Sequence, residues 1–284
     1  KIQMEIGATV LPHFPKDTTD RNRTSPFAFT GNKFEFRMLG STVSIAEPNI
    51  VLNTVVAEAL SQFADALESS KDFIGDVAKL VKKTIHDHKR IIFNGNNYAE
   101  EWVEEAERRG LSNLKNTPEA LGALMTENNV KLFTKNSVYT EKELESRHEI
   151  FLENYAKTIN IEALTMIDLA NKRVVPAVVA YENDLADLLL RKSKLGGHDS
   201  TLEDALLSRV SKLAASLSKK LAELEEETVA VRGIADSAKL AAAYRERVFS
   251  AMNELRAVVD ELELITPAKY WPLPSYGEIL YSVI

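Results

Sequence analysis

From Leu206 to Leu224 the apolar residues Leu206, Val210, Leu213, Leu217, Leu221 and Leu224 step by three and four, with charged residues between them. Residues spaced this way fall on one stripe of an α-helix, and such a stripe has to be buried against a neighbour. A second ladder, Leu240, Tyr244, Val248, Met252, Leu255, Val259 and Leu262, begins shortly after Gly233. The interruption lets the two ladders face each other. The spacing therefore predicts a long helix ending near residue 231 and a partner ending near residue 264, packed as an antiparallel, coiled-coil-like hairpin. The stripe reads as hairpin core or subunit contact rather than as a ligand groove.

Helical patterning continues upstream. Pro48 and Asn49 open a helix over about 49–68, whose residues Val51, Leu52, Val55, Val56, Ala59, Leu60 and Phe63 predict one wide buried face. A second helix is expected over about 71–92, ended by the Asn94–Asn97 cluster. A short one is expected over about 98–109 with Gly110 as C-cap, and another starts at Thr117-Pro118-Glu119. Thr140-Glu141-Lys142-Glu143 is a capping-box start for a helix to about 170. Pro176 predicts a break or kink, and Lys194–Asp199 a loop between helices. The tail from Pro267, anchored by Tyr270 and Trp271, is expected to lie extended on a surface.

The first 47 residues differ. Ile2, Met4 and Ile6 alternate with polar residues, and Lys33-Phe34-Glu35-Phe36-Arg37-Met38 alternates again after the Gly31-Asn32 turn signal. This period of two belongs to strands. The fold class is α+β, mostly α-helical: a few N-terminal strands, then a helical region with the long hairpin.

A net charge of -7, with basic residues interleaved with acids, excludes a nucleic-acid binder held by phosphate neutralisation. No apolar run near membrane-spanning length is read from the sequence, so no membrane partner is expected. The absence of cysteine excludes disulfides and thiolate metal sites, and a cytoplasmic location fits it. The chain opens at Lys1 in a strand-like stretch, as a segment cut from something longer would.

Chemistry concentrates in the second strand. Lys33, Glu35 and Arg37 share one face and Phe34, Phe36 and Met38 the other, so a packed aromatic layer would back a row of cation, carboxylate and cation spaced ~6.6 Å per pair of residues. A carboxylate can hold a divalent metal, and a planar guanidinium can clamp phosphate or carboxylate oxygens. The same pattern also describes a solvent-facing strand whose charges pair with one another, and spacing does not choose between them. His86-Asp87-His88 and His148 read as helix-surface residues, because helix positions two apart diverge by about 200°.

The run Asp20-Arg21-Asn22-Arg23-Thr24-Ser25-Pro26-Phe27-Ala28-Phe29-Thr30-Gly31-Asn32-Lys33-Phe34-Glu35-Phe36-Arg37 resembles the substrate loop and metal strand of type III glutamine synthetases. Gly40-Ser41, Ala46-Glu47-Pro48-Asn49, His88–Asn96, Glu100-Glu101-Trp102, Glu105–Leu111 and Phe151–Tyr155 are similar to that family too. The likeness implies the C-terminal portion of such an enzyme: residues 1–160 closing the catalytic domain, and 161–284 a helical C-terminal domain engaged in oligomer contacts. It implies ATP-dependent ligation of ammonia to glutamate through γ-glutamyl phosphate, with ATP as co-substrate and Mg2+ or Mn2+ as metal. A ring-type homo-oligomer, a dodecamer, is the implied assembly.

By the same likeness, Arg37 would stabilise the transferring phosphoryl group and bind substrate. Arg23 would contact glutamate or phosphate, Lys33 the nucleotide phosphates, and Glu35 a divalent cation. Ala28 stands where commoner glutamine synthetases carry a further arginine. The family's remaining metal ligands lie upstream of this sequence, so the chain alone is expected to be inactive. The alternatives are a non-catalytic helical assembly module descended from such an enzyme, and a coiled-coil scaffold binding a regulatory partner through residues 200–265.

Overall fold

The computed structural model describes residues 3–4, 14–15, 27–29, 33–37, 40, 43–93, 96 and 99–281. Two antiparallel ribbons open it, β1 (Gln3–Met4) with β2 (Phe14–Pro15), and β3 (Phe27–Phe29) with β4 (Phe34–Phe36). Helices follow almost without interruption: α1 (Ala46–Leu67), α2 (Phe73–Asp87), α3 (Glu100–Arg108), α4 (Thr117–Gly122), α5 (Glu127–Lys135), α6 (Glu141–Leu169), α7 (Val175–Leu195), α8 (Thr201–Ala230), α9 (Ser237–Ala243), α10 (Phe249–Ile265) and α11 (Tyr276–Tyr281). The chain is mostly α, as its periodicity predicts. The described strands form two separate ribbons rather than one larger sheet.

Packing divides the chain into two units. One holds residues 1–114 and 131–138, the other residues 115–130 and 139–284. Residue 160, where the sequence reading draws its domain boundary, lies inside α6.

The second unit contains the expected hairpin, with a third helix added. α8 packs on α10, but it also packs on α7, while α6 lies against α8, α9 and α10. The hairpin of the sequence reading is thus two arms of a bundle whose third arm is α6–α7. Val210, Leu217, Leu221 and Leu224 of α8 meet Leu255 and Leu262 of α10, Val178, Tyr181 and Leu185 of α7, and Ile159 and Ala163 of α6 in one core. Burying each large aliphatic side chain contributes roughly 1.5–3 kcal/mol, so this seam dominates the unit's stability.

Local signals behave as their chemistry requires. The Thr140 hydroxyl accepts from Glu143 N–H while the Glu143 carboxylate accepts from Thr140 N–H, completing the capping box of α6. Gly110 adopts φ of 70° directly after α3, with Gly110 N–H donating to the Glu107 carbonyl and Leu111 N–H to that of Ala106. A side chain there would pay the left-handed steric cost that glycine avoids.

Pro176 does not break the helix. A π turn over Ala170–Val174 joins α6 to α7, with Val175 N–H donating to the Ala170 carbonyl, so Pro176 falls in the first turn of α7, where its missing N–H costs nothing. A second π turn, Tyr244–Val248, joins α9 to α10. The tail is likewise not wholly extended. Tyr270 and Trp271 pack against the bundle core, the Tyr270 hydroxyl donates to Asp184, and α11 follows.

The first unit is different. In α1 the expected buried face is largely open: Val55, Val56 and Leu60 are exposed, and Thr54 is the buried residue of the helix. In α2, Phe73, Ile74, Val81 and Ile85 are exposed as well. At 22 residues α1 also has the length and apolarity of a membrane span, contrary to the sequence reading. Its mid-helix carboxylate argues for a protein contact instead. Glu58 accepts from Lys135 at 2.6 Å, Asn136 at 3.0 Å and Gln62 at 2.8 Å, a charge cluster that hydrocarbon would not tolerate cheaply. These hydrogen bonds, that of Lys135 foremost, hold the Glu58 carboxyl at about 2, against the ordinary 4.5.

Two measurements check this. Leu255→Ala, which empties a fully buried position, lowers unfolding free energy by about 2–5 kcal/mol in denaturant titration, whereas Leu190→Ala at an exposed position changes it by less than ~0.5 kcal/mol. The Glu58 carboxyl is depressed in the fold, so its contribution is full above pH 4.5 and fades as pH falls towards 2. The melting temperatures of the parent chain and Glu58→Gln therefore differ most near neutrality and converge on acidification. A constant gap down to pH 2 would contradict the cluster.

Candidate active-site hairpin

The ribbon of β3 and β4 carries the candidate residues. Its register pairs Phe27 with Phe36, Ala28 with Glu35, and Phe29 with Phe34. Ala28, the position at which the chain departs from the commoner pattern, thus sits directly across from Glu35. Lys33 precedes β4, Glu35 is its central residue, and Arg37 directly follows it.

The alternation brings the three charges together. Arg37 Nη2 donates to Glu35 Oε2 at 3.0 Å and Nε donates to the same oxygen at 3.3 Å. Lys33 Nζ lies 3.4 Å from Glu35 Oε1. One carboxylate is therefore gripped by two cations, each on its own oxygen. Exposure falls along the row, from 65% for the Lys33 side chain to 36% for Glu35 and 20% for Arg37. Arg37 Nη1 is buried and has no hydrogen-bond partner among the described residues. An unfilled guanidinium N–H pair beside a carboxylate is a preformed donor for an anionic oxygen.

The opposite face corrects the sequence reading. Phe34 is 65% exposed and Phe36 43%, so the aromatic face expected to be buried behind the charges is largely open. On the charged face exposure is uneven: Lys33 is open and Arg37 is the least exposed side chain of the row. A two-stranded ribbon offers too little surface to bury both faces, and these phenylalanines need a further layer to cover them.

Arg23 lies outside the described residues, as do Asn94 and Gly95. Among the described residues no group of three or more His, Asp or Glu is placed to hold a metal ion. Glu35 on its own does not fit the six or more oxygen ligands a hard divalent cation prefers, whereas Arg37 does fit an anion. His86 pairs with Asp87 at the protein surface, its Nδ1 3.3 Å from Oδ1, in keeping with the surface reading.

A second cluster in the same unit unites segments that the sequence flags separately. Phe93 stacks on Trp102 with ring centroids 4.2 Å apart, and the Arg109 guanidinium lies 5.5 Å from the Trp102 ring. Arg109 Nη1 also donates to the carbonyls of Ile92 at 3.0 Å and Arg90 at 3.2 Å. Arg109 and then Arg108 hold the Glu105 carboxyl below its ordinary range. The cluster fixes the turn after α2 against α3. Sequence reasoning identified these stretches by likeness but not the cation–π contact joining them.

Comparison with known proteins places residues 76–193 on the family model described as "Glutamine synthetase C-terminal domain". The chain is 41% identical over 272 residues to a glutamine synthetase of Butyrivibrio fibrisolvens, covering 95% of this chain and 39% of that protein. It is 40% identical over 289 residues to a type-3 glutamine synthetase of Dictyostelium discoideum, covering 98% of the chain and 39% of that protein. Against a glutamine synthetase of Bacteroides fragilis (strain YCH46) the identity is 32% over 291 residues, covering 99% and 40% respectively. The chain thus spans about two fifths of the length of these relatives.

Proposed function

We propose, from the place of residues 76–193 in the glutamine synthetase C-terminal domain family, that this chain is the C-terminal portion of a glutamine synthetase, a ligase joining ammonia to glutamate. The observation that carries the reading to particular residues is the buried Arg37 Nη1 beside Glu35, which has no partner among the described residues.

In this reading Arg37 presents its open N–H pair to an oxygen of the γ-phosphoryl group or of the substrate carboxylate. It does so from a side chain already oriented by Glu35, so little reorganisation accompanies the development of charge. Lys33, the more exposed cation, meets nucleotide phosphate, and Arg23 meets glutamate or phosphate. ATP and Mg2+ or Mn2+ are the co-substrate and metal the reading implies. Glu35 supplies one oxygen donor to such an ion, and the other donors belong to protein outside the described residues. Within the enzyme, ATP phosphorylates the γ-carboxylate of glutamate, and ammonia displaces phosphate from the acyl phosphate.

Much of the relatives' length lies outside this chain, and the open faces of α1, α2 and β4 support a setting in which more protein covers them. In that setting residues 1–160 close the catalytic domain and 161–284 form the helical domain. The whole works as a cytoplasmic ring-type homo-oligomer, a dodecamer.

The test is made in the longer enzyme. Arg37→Ala lowers kcat by about 10²–10³-fold, the cost of removing one preorganised oxyanion donor, while the oligomer measured by light scattering is unchanged. Full activity of that variant would overturn the role given to Arg37. The 284-residue chain alone forms no glutamine from glutamate, ammonia and ATP, and measurable turnover by it would refute the dependence on other parts of the enzyme.

A further inference from the structure

Away from the charged hairpin, the helical bundle has a groove of about 240 Å³ between α6 and the segment leading through α9 into the second π turn. Its volume lies below the ~300–1,000 Å³ typical of sites for drug-sized ligands, which suits a smaller metabolite. We propose that this groove, lined by Glu153, Lys157, Asn160, Ser237, Leu240 and Tyr244, is a binding site for a small α-amino acid with a polar side chain.

The rim carries both charges that a zwitterion requires. Lys157 Nζ and Glu153 Oε2 are 2.8 Å apart, and their side chains are 68% and 53% exposed. A pair this exposed contributes little to stability, so a ligand ammonium on Glu153 and a ligand carboxylate on Lys157 replace it at small cost. A free amine or a free acid would satisfy only one of the two.

The floor selects a polar side chain. Tyr244 Oη donates to Asn160 Oδ1 at 3.1 Å. That bond fixes the amide, leaving its Nδ2 donors and the tyrosine lone pairs directed to other partners. Burial pushes the Tyr244 hydroxyl up from its ordinary range, so it remains a neutral donor throughout physiological pH. Ser237 adds a hydroxyl, and Leu240 with Ala156 forms an apolar wall for methylene groups. Tyr244 is itself the first residue of a π turn, an irregularity that is rare in helices and recurs at functional sites.

The groove shares no residue with the 33–37 hairpin, and its occupancy does not depend on the ligase reading. Titration calorimetry of the 284-residue chain with L-glutamine as probe tests it. Saturable binding in the millimolar range is expected, lost with N-acetyl-L-glutamine, which lacks the ammonium. Lys157→Ala and Asn160→Ala each weaken it by about tenfold, with helicity by circular dichroism unchanged. Arg37→Ala, the control at the hairpin, leaves it as it was. Absence of saturable binding overturns the site. So does binding that survives both groove substitutions, and so does binding that Arg37→Ala abolishes, which would assign the ligand to the hairpin.

Discussion

Exclusion of water from the seam among α8, α10 and α6–α7 is the constraint on which the second unit rests. Leu224, Leu255, Leu262, Val210 and Val248 are wholly inaccessible there, each supported by neighbours from another arm. The ion pairs of this region lie around that seam, while the buried Thr228 hydroxyl is satisfied by the Leu224 carbonyl of its own helix. Lys220 reaches Glu223 and Glu254 at the edge of the seam, and Arg247 reaches Glu227. Such pairs set register between arms more than they add stability. The two π turns fit the same logic. Each inserts one residue into a helix more than fifty residues from the other, and each keeps an apolar stripe facing the core where a regular helix would drift off it.

The first unit obeys the same periodicity with the opposite outcome. α1 and α2 carry apolar residues at helical spacing as regular as those of α8, yet most of that surface faces outward. Its specific contacts are polar or aromatic: Glu58 with Lys135 and Asn136, and Arg109 with Trp102 and two carbonyls. These fix how the helices lie without burying their stripes. Hydrophobic period therefore states that a face must be covered, and is silent on what covers it.

That difference sets what could be read from the sequence. Helices were legible where their caps and ladders are local: Thr140 with Glu143 and the leucines of α8 in the bundle, and Gly110 after α3 in the first unit. The third arm was not, because nothing in α6 or α7 alone names α8 as its neighbour. Pro176 marked the interruption but not its form, since the α pattern gives way to a π turn upstream that places the proline in the first turn of α7, and no residue pattern announces that turn. At the hairpin, alternation placed Lys33, Glu35 and Arg37 together correctly. It could not say that Arg37 would be the least exposed of the three charges or that the phenylalanines would stay open, because which side of a ribbon is covered depends on a third layer.

The low exposure of Arg37 bears on what the hairpin is for. A short ribbon standing by itself in water would turn Phe34 and Phe36 inward and leave its charges solvated. Here a guanidinium is only 20% exposed and keeps one nitrogen buried without a partner among the described residues. Leaving such a donor unsatisfied costs about 1–3 kcal/mol, more for a charged group. A ribbon this small has few contacts with which to offset that cost. Backbone economy alone gives no reason to hold Arg37 in this way, whereas a bound oxyanion would complete its hydrogen bonds and recover the energy. The cost falls on Arg37, the side chain on which the proposed ligase role depends most.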